Sequence, residues 1–133
     1  MSGFLLDTHV WLWYLGGEPR LPPAVRDQIR TSLDECWLSP VSVWEAGILR
    51  DRGKIRLEGD FRTWFEESRR RLPLRTAPLN AEVALASLES DLPHRDPADR
   101  FLAATARTYQ LTLVTADGRL LDCESLATLS ARE

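Results

Sequence analysis

With 133 residues, 44% hydrophobic and 28% charged, the chain has the size and composition of one globular domain that can bury a core without disulfide staples. A net charge of −3 excludes a molecule that is basic overall. No run approaches the roughly 20 apolar residues of a membrane span, and no basic leader precedes the first apolar run, which Asp7 interrupts. Cys36 and Cys123 have neither metal-ligand spacing nor a disulfide framework, so a reducing, cytoplasmic setting is expected.

The first element is a short apolar strand, Phe4-Leu5-Leu6, ending in the carboxylate of Asp7. Open α/β sheets place their ligands at the carboxyl ends of strands. Val10 to Leu15 follows as six consecutive apolar residues, stopped by Gly16-Gly17. A helix apolar all round is either fully buried or covered by a partner. Pro22-Pro23 opens a second helix to about Leu33, and Glu35 to Ser39 reads as a strand. Ser39 then caps a helix with Pro40 in its first turn, running to about Asp51 and stopping at Gly53.

On a wheel of that third helix, Val41, Trp44, Ile48 and Leu49 form one apolar stripe, and Glu45 falls inside it. A carboxylate on an inward face is costly unless something specific pairs with it. The competing account is a capping box, because Ser42-Val43-Trp44-Glu45 fits S-x-x-E. Lys54 to Leu57 reads as a brief extended piece. Asp60 caps a helix from Phe61 to about Arg71, Leu74 to Pro78 reads as a strand, and Asn80 caps a helix to about Leu88. Two basic clusters, Arg50-Arg52-Lys54-Arg56 and Arg69-Arg70-Arg71, are either solvated faces or local phosphate contacts.

The second acidic stretch is His94-Arg95-Asp96-Pro97-Ala98-Asp99-Arg100-Phe101-Leu102-Ala103-Ala104. Asp96 is a natural N-cap, and Asp99 lies in the first turn, where it also complements the helix dipole. Leu111 to Thr115 is the next strand, with Asp117 just past its end. A short helical turn reaches about Leu121, and Ser125 to Leu129 is the last strand. Strands alternating with helices predict an α/β domain with a parallel sheet. In such a sheet, strand ends and the starts of following helices share one rim. Asp7, Glu45, Asp99 and Asp117 on that rim would repel, by about 4 kcal/mol per pair at about 4 Å and an effective dielectric near 20. Such a cluster needs protons or a cation, and oxygen-only ligands suit Mg²⁺ or Mn²⁺ better than zinc. Phosphodiester hydrolysis is the reaction that arrangement suits best.

Four segments in order carry a resemblance: Leu6-Asp7-Thr8-His9, Ser42-Val43-Trp44-Glu45, Asp96 through Ala104, and Val114-Thr115-Ala116-Asp117. Together they resemble the PIN-domain family, and more narrowly the VapC-type ribonuclease toxins of type II toxin–antitoxin pairs. The resemblance implies a single three-layer domain over residues 1–133, with a five-stranded parallel sheet of order 3-2-1-4-5 flanked by helices. It implies a Mg²⁺- or Mn²⁺-dependent endoribonuclease whose metal-site and catalytic acids are Asp7, Glu45, Asp99 and Asp117. Asp96 is then an accessory acid or merely a cap, Thr8 is accessory, and Thr115 matches a hydroxyl residue expected to orient a water. Arg100 is structural or phosphate-facing, and Arg50 and Lys54 are candidate RNA phosphate contacts. The resemblance also implies a small antitoxin that occludes the site, and a homodimer. The apolar helix Val10 to Leu15 would serve one of those contacts. A haloacid-dehalogenase-type phosphatase would need an aspartate where His9 stands, and a receiver domain would need an acidic pair after the first strand. The remaining alternative is a PIN-like interaction domain that no longer cuts.

Overall fold

The computed structural model describes residues 3–89 and 96–133, so His94 and Arg95 of the second acidic motif lie outside the described residues. Strand β1 (Phe4–Leu6) occupies the middle of a five-stranded sheet. It pairs in parallel with β2 (Cys36–Leu38) on one side and β4 (Thr112–Thr115) on the other. The edges are β3 (Arg75–Thr76) beside β2 and β5 (Thr128–Ser130) beside β4, which gives the expected order 3-2-1-4-5 with every pair parallel.

Period-two alternation sends neighbouring strand residues to opposite layers. Leu6, Cys36, Leu38 and Val114 pack on one face with helices α1 (Thr8–Gly16), α2 (Pro23–Thr31) and α4 (Phe61–Arg71). Leu5 and Leu113 pack on the other with α6 (Pro97–Tyr109), through Leu102, Ala103 and Ala106. Helix α5 (Ala81–Ala86) lies against α6, and the short α7 (Gly118–Leu121) follows β4. Helix α3 (Pro40–Asp51) packs against both α1 and α6, which sets it across the rim where β1 ends.

Helix α1 is apolar all round because its own domain closes over it, and its burial needs no partner chain. Val10, Trp11 and Leu15 are buried, while Leu12, Trp13 and Tyr14 are half-buried against the same core. Trp11 meets the rings of Trp64 and Phe65 of α4 edge-on, at 5.5 and 6.3 Å. Its C-terminal carbonyls are held by distant arginines: Arg71 donates to Leu15 O at 2.9 Å and Arg26 to Tyr14 O at 3.3 Å. Gly17, with φ of 63°, closes the helix in the left-handed region that glycine adopts without strain.

The stripe expected on α3 is turned. Its buried residues are Val41, Ser42 and Ala46, whereas Trp44 is 59% exposed. The packed arc is shifted by about 80° at 100° per residue, because α3 crosses α1 and α6 through small side chains that allow close approach. Glu45 lies within both arcs, so the inference that it faces inward survives the rotation. Ser39, not Ser42, caps the helix, accepting from Val41 N at 3.0 Å; no capping box forms. Lys54 to Leu57 joins no strand and is irregular, with Gly53 turning the chain at φ 70°. The last strand begins later than expected, at Thr128.

Candidate active site

Asp7 is held through its carboxylate by two features of the rim, one on each oxygen. It is the N-cap of α1, with extended backbone, and its Oδ1 accepts from Thr8 N at 2.7 Å. Because β1 and β4 pair in register at Leu6 and Val114, the next residue of β4, Thr115, reaches across to donate to Asp7 Oδ2 at 2.6 Å. The same hydroxyl accepts from Asp117 N at 3.0 Å, so one buried threonine ties the first acid to the turn bearing the last. Asp117 in turn caps α7 by accepting from Arg119 N at 2.9 Å.

The second pair is joined in the same manner. Thr8 is buried, and its hydroxyl lies 2.6 Å from Glu45 Oε1 and 2.8 Å from the Ser42 hydroxyl. An ionised carboxylate only accepts, so the Thr8 proton goes to Glu45 and the Ser42 hydroxyl supplies the second contact. Asp96 caps α6, accepting from Ala98 N at 2.9 Å, and Asp99 follows in the first turn. Asp7, Thr8, Glu45, Asp96, Asp99 and Asp117 all line one cleft of about 810 Å³. Thr115 stands behind it, fully buried.

Burial pushes the Asp7 carboxyl above its ordinary value, and the neighbouring charge of Asp117 adds to the rise; the bonds from Thr115 and Thr8 and the His9 imidazole oppose it. Glu45 is also raised, chiefly by burial, with Asp7 and Asp96 adding and the Thr8 bond and His9 opposing. Two carboxyls that are costly to ionise, facing a cleft with further acids, form a site that a cation relieves. Among the described residues, no three Asp, Glu, His or Cys side chains are gathered tightly enough to cage an ion by themselves. The acids form an open rim. With its acids outnumbering the one imidazole among the described residues, His9, such an open carboxylate rim fits a small hard cation that keeps several waters and takes one or two carboxylates directly, as Mg²⁺ does.

None of the three candidate phosphate contacts lines this cleft. Arg100 is a structural strap: its Nε donates to Ser87 O and a terminal nitrogen to Glu89 O, both at 2.8 Å. Arg50 donates to Gly59 O at 2.7 Å and shares a separate depression with Lys54 and Arg56.

A PIN-domain family model matches residues 4–124. The chain belongs to the PIN-domain family. It is also 33% identical over 122 residues to Ribonuclease VapC22 of Mycobacterium tuberculosis, covering 90% of this chain and 91% of the relative. Among solved structures, FitAcB from Neisseria gonorrhoeae matches at 26% identity and a TM-score of 0.66, covering 96% and 97% of the two chains. A DNA-bound VapBC from Salmonella typhimurium matches at a TM-score of 0.72 over 98% of both chains; at 14% identity that likeness speaks for the fold alone. Among the described residues no helix is long and apolar enough to cross a membrane.

The PIN cleft also holds residues that the sequence reading did not select: His9, Trp13, Arg119, Asp122 and Arg132. His9 was legible as an exposed position of the helix that Asp7 caps, and Trp13, four residues on, is half-buried on the same side. Ser42, buried beneath Thr8, was read only as a helix-capping candidate. Arg132 carried no signal, since it lies far in sequence from every acid it approaches.

Proposed function

We propose that this protein is an endoribonuclease, the toxin of a type II toxin–antitoxin pair, which hydrolyses RNA phosphodiester bonds with Mg²⁺ or Mn²⁺ in the cytoplasm. The observation that carries the reading is the convergence of Asp7, Glu45, Asp99 and Asp117 on one cleft of a PIN domain whose relative is a ribonuclease. Asp7, Glu45, Asp99 and Asp117 would hold the divalent cation, which when bound would supply activation of a water and neutralisation of charge on the phosphate. The chain's own residues set the geometry. Thr115 and Thr8 N fix both oxygens of Asp7, and Thr8 fixes Glu45 Oε1. Burial raises the Glu45 carboxyl above its ordinary value, a cost that a cation held beside it would offset. The likeness to Ribonuclease VapC22 supports the toxin reading, and with it a small antitoxin as partner. The exposed Trp44, Leu85 and Leu88 are apolar positions available to a second copy in a homodimer.

Purified protein freed of partners is expected to cleave RNA, to lose activity in EDTA and to regain it with Mg²⁺ or Mn²⁺. Glu45→Gln and Asp99→Asn should each abolish cleavage while leaving the folded circular-dichroism spectrum intact. Undiminished cleavage in both variants refutes the assignment. Absence of cleavage of any RNA, with tight binding of a small protein partner, would favour the non-cutting interaction domain.

A further inference from the structure

Two arginines, Arg119 and Arg132, line the acidic cleft, and the guanidinium of Arg132 is anchored by a hydrogen bond. Arg132, just past β5, lines the cleft and donates from Nε to Ala116 O at 2.7 Å. Its backbone N–H is also fixed, donating to Ser130 Oγ at 3.2 Å. The guanidinium lies over Gly118: a Cβ there would stand 3.0 Å from one terminal nitrogen and 3.5 Å from both the central carbon and the other nitrogen. Gly118 is the first residue of α7 and is not among the glycines at positive φ. Its missing side chain therefore serves space, not backbone conformation, and that space is occupied by the guanidinium.

Ala116 and Gly118 flank Asp117, so Arg132 straddles the turn that carries this acid just past β4. Nε is used by Ala116, and among the described residues the two terminal nitrogens carry no hydrogen bond. Guanidinium nitrogens present donors in a fixed planar fork that matches phosphate oxygens. An anionic strand entering a cleft lined by six carboxylates needs a fixed cation beside them. We propose that Arg132, seated on Gly118, grips a backbone phosphate of the RNA next to the Asp117 end of the cleft. The inference rests on the ribonuclease reading and adds to it a substrate-binding residue supplied from beyond the last strand.

The test uses the Glu45→Gln protein, which should bind without cutting, and a fluorescein-labelled, mixed-sequence single-stranded RNA read by anisotropy over a range of NaCl. Arg132→Gln should weaken binding roughly ten-fold and lower the salt slope by about 0.7, the loss of one single-strand phosphate contact. Arg132→Lys, which keeps the charge, should recover most of the slope. Gly118→Ala removes no charge, and the crowded atom is the far end of a flexible side chain, so the protein should fold and bind RNA less tightly. In the cutting protein, Arg132→Gln should raise KM more than it lowers kcat. An unchanged affinity and slope in Arg132→Gln overturns the inference. So does an equal loss in the Gln and Lys variants accompanied by a fall in Tm, which makes Arg132 only an anchor between β5 and the β4 turn. If the unsubstituted protein cuts no RNA, the ribonuclease reading fails first and takes this inference with it.

Discussion

Thr115→Val is the substitution that asks most directly how the site is held. Valine has nearly the shape of threonine, so the fully buried position 115 keeps its packing and loses only the hydroxyl. Two bonds go with it: the donation to Asp7 Oδ2 at 2.6 Å and the acceptance from Asp117 N at 3.0 Å. A hydrogen bond to a charged partner contributes about 1.5–3 kcal/mol. The second adds about 1 kcal/mol at most, because Asp117 is half-buried and water replaces part of the loss. The expected cost is about 2–4 kcal/mol, which lowers Tm on the order of 10 °C for a domain of this length. Thr115→Ser keeps the hydroxyl and loses one buried methyl, about 1 kcal/mol. Activity should separate the two variants further. Valine frees Asp7 to swing, and a misplacement on the order of 1 Å can cost about 10²-fold in kcat; serine should stay near the parent. A double-mutant cycle with Asp7→Asn, followed by thermal melts at neutral pH, isolates the pair and should give a coupling above about 1 kcal/mol. Equal Tm and kcat in the Val and Ser variants, with additive effects in the cycle, would show that the hydroxyl does not hold the acid.

The raised carboxyls predict a pH dependence with a definite sign. Between its ordinary value and its raised folded value, each of Asp7 and Glu45 is protonated in the folded chain and ionised in the unfolded one. The folded state then binds more protons, so stability falls as pH rises through that window and levels off above it. Glu45→Gln should flatten this fall and raise Tm at pH 7, and Mg²⁺ should raise Tm of the parent at pH 7 more than at pH 4; a Glu45→Gln protein less stable at pH 7 than at pH 4 by the parent's margin contradicts this. The turned face of α3 gives a second comparison, by urea denaturation. Trp44→Ser should change stability by no more than about 0.5 kcal/mol, because the ring is 59% exposed, whereas Trp11→Ala should cost about 3–5 kcal/mol.

The sheet was legible because its signals are local. Strands β1 and β2 each run straight into a residue that stops the strand and caps the next helix, Asp7 and Ser39, and Asp117, two residues past β4, caps α7. The Pro40 and Pro97 positions fixed two helix starts to the residue. Helix faces were less legible. The wheel for α3 weighed side chains by hydrophobicity and so favoured Trp44, but crossings over a crowded rim select small residues, and Ser42 and Ala46 won the interior. Position 45 was recovered despite this because it lies where the two arcs overlap. Arg100 illustrates the opposite difficulty: beside an acid in sequence, its side chain turns back to the carbonyls that end α5, a destination no local pattern encodes.

The way Asp7 and Glu45 are held bears on what the cleft can do. Among the described residues, their hydrogen-bond partners are two threonine hydroxyls and one backbone N–H, all neutral donors. An arginine or lysine in place of either threonine would stabilise these carboxylates more in the resting protein, and would also cancel the charge that attracts a cation. Neutral hydroxyls fix orientation while leaving the charge exposed to the cleft. The ion pairs Arg20–Glu18, Arg30–Asp27 and Arg69–Glu66 lie on the surface instead, where such contacts contribute little. Keeping Asp7 and Glu45 ionised in this setting works against folding, as their raised pKa values require. A fold that needed only two inward polar residues would gain stability by neutralising them. Two inward acids, each clamped by a buried hydroxyl from a different element, fit the proposed cation-dependent cleft better than a passive interaction surface.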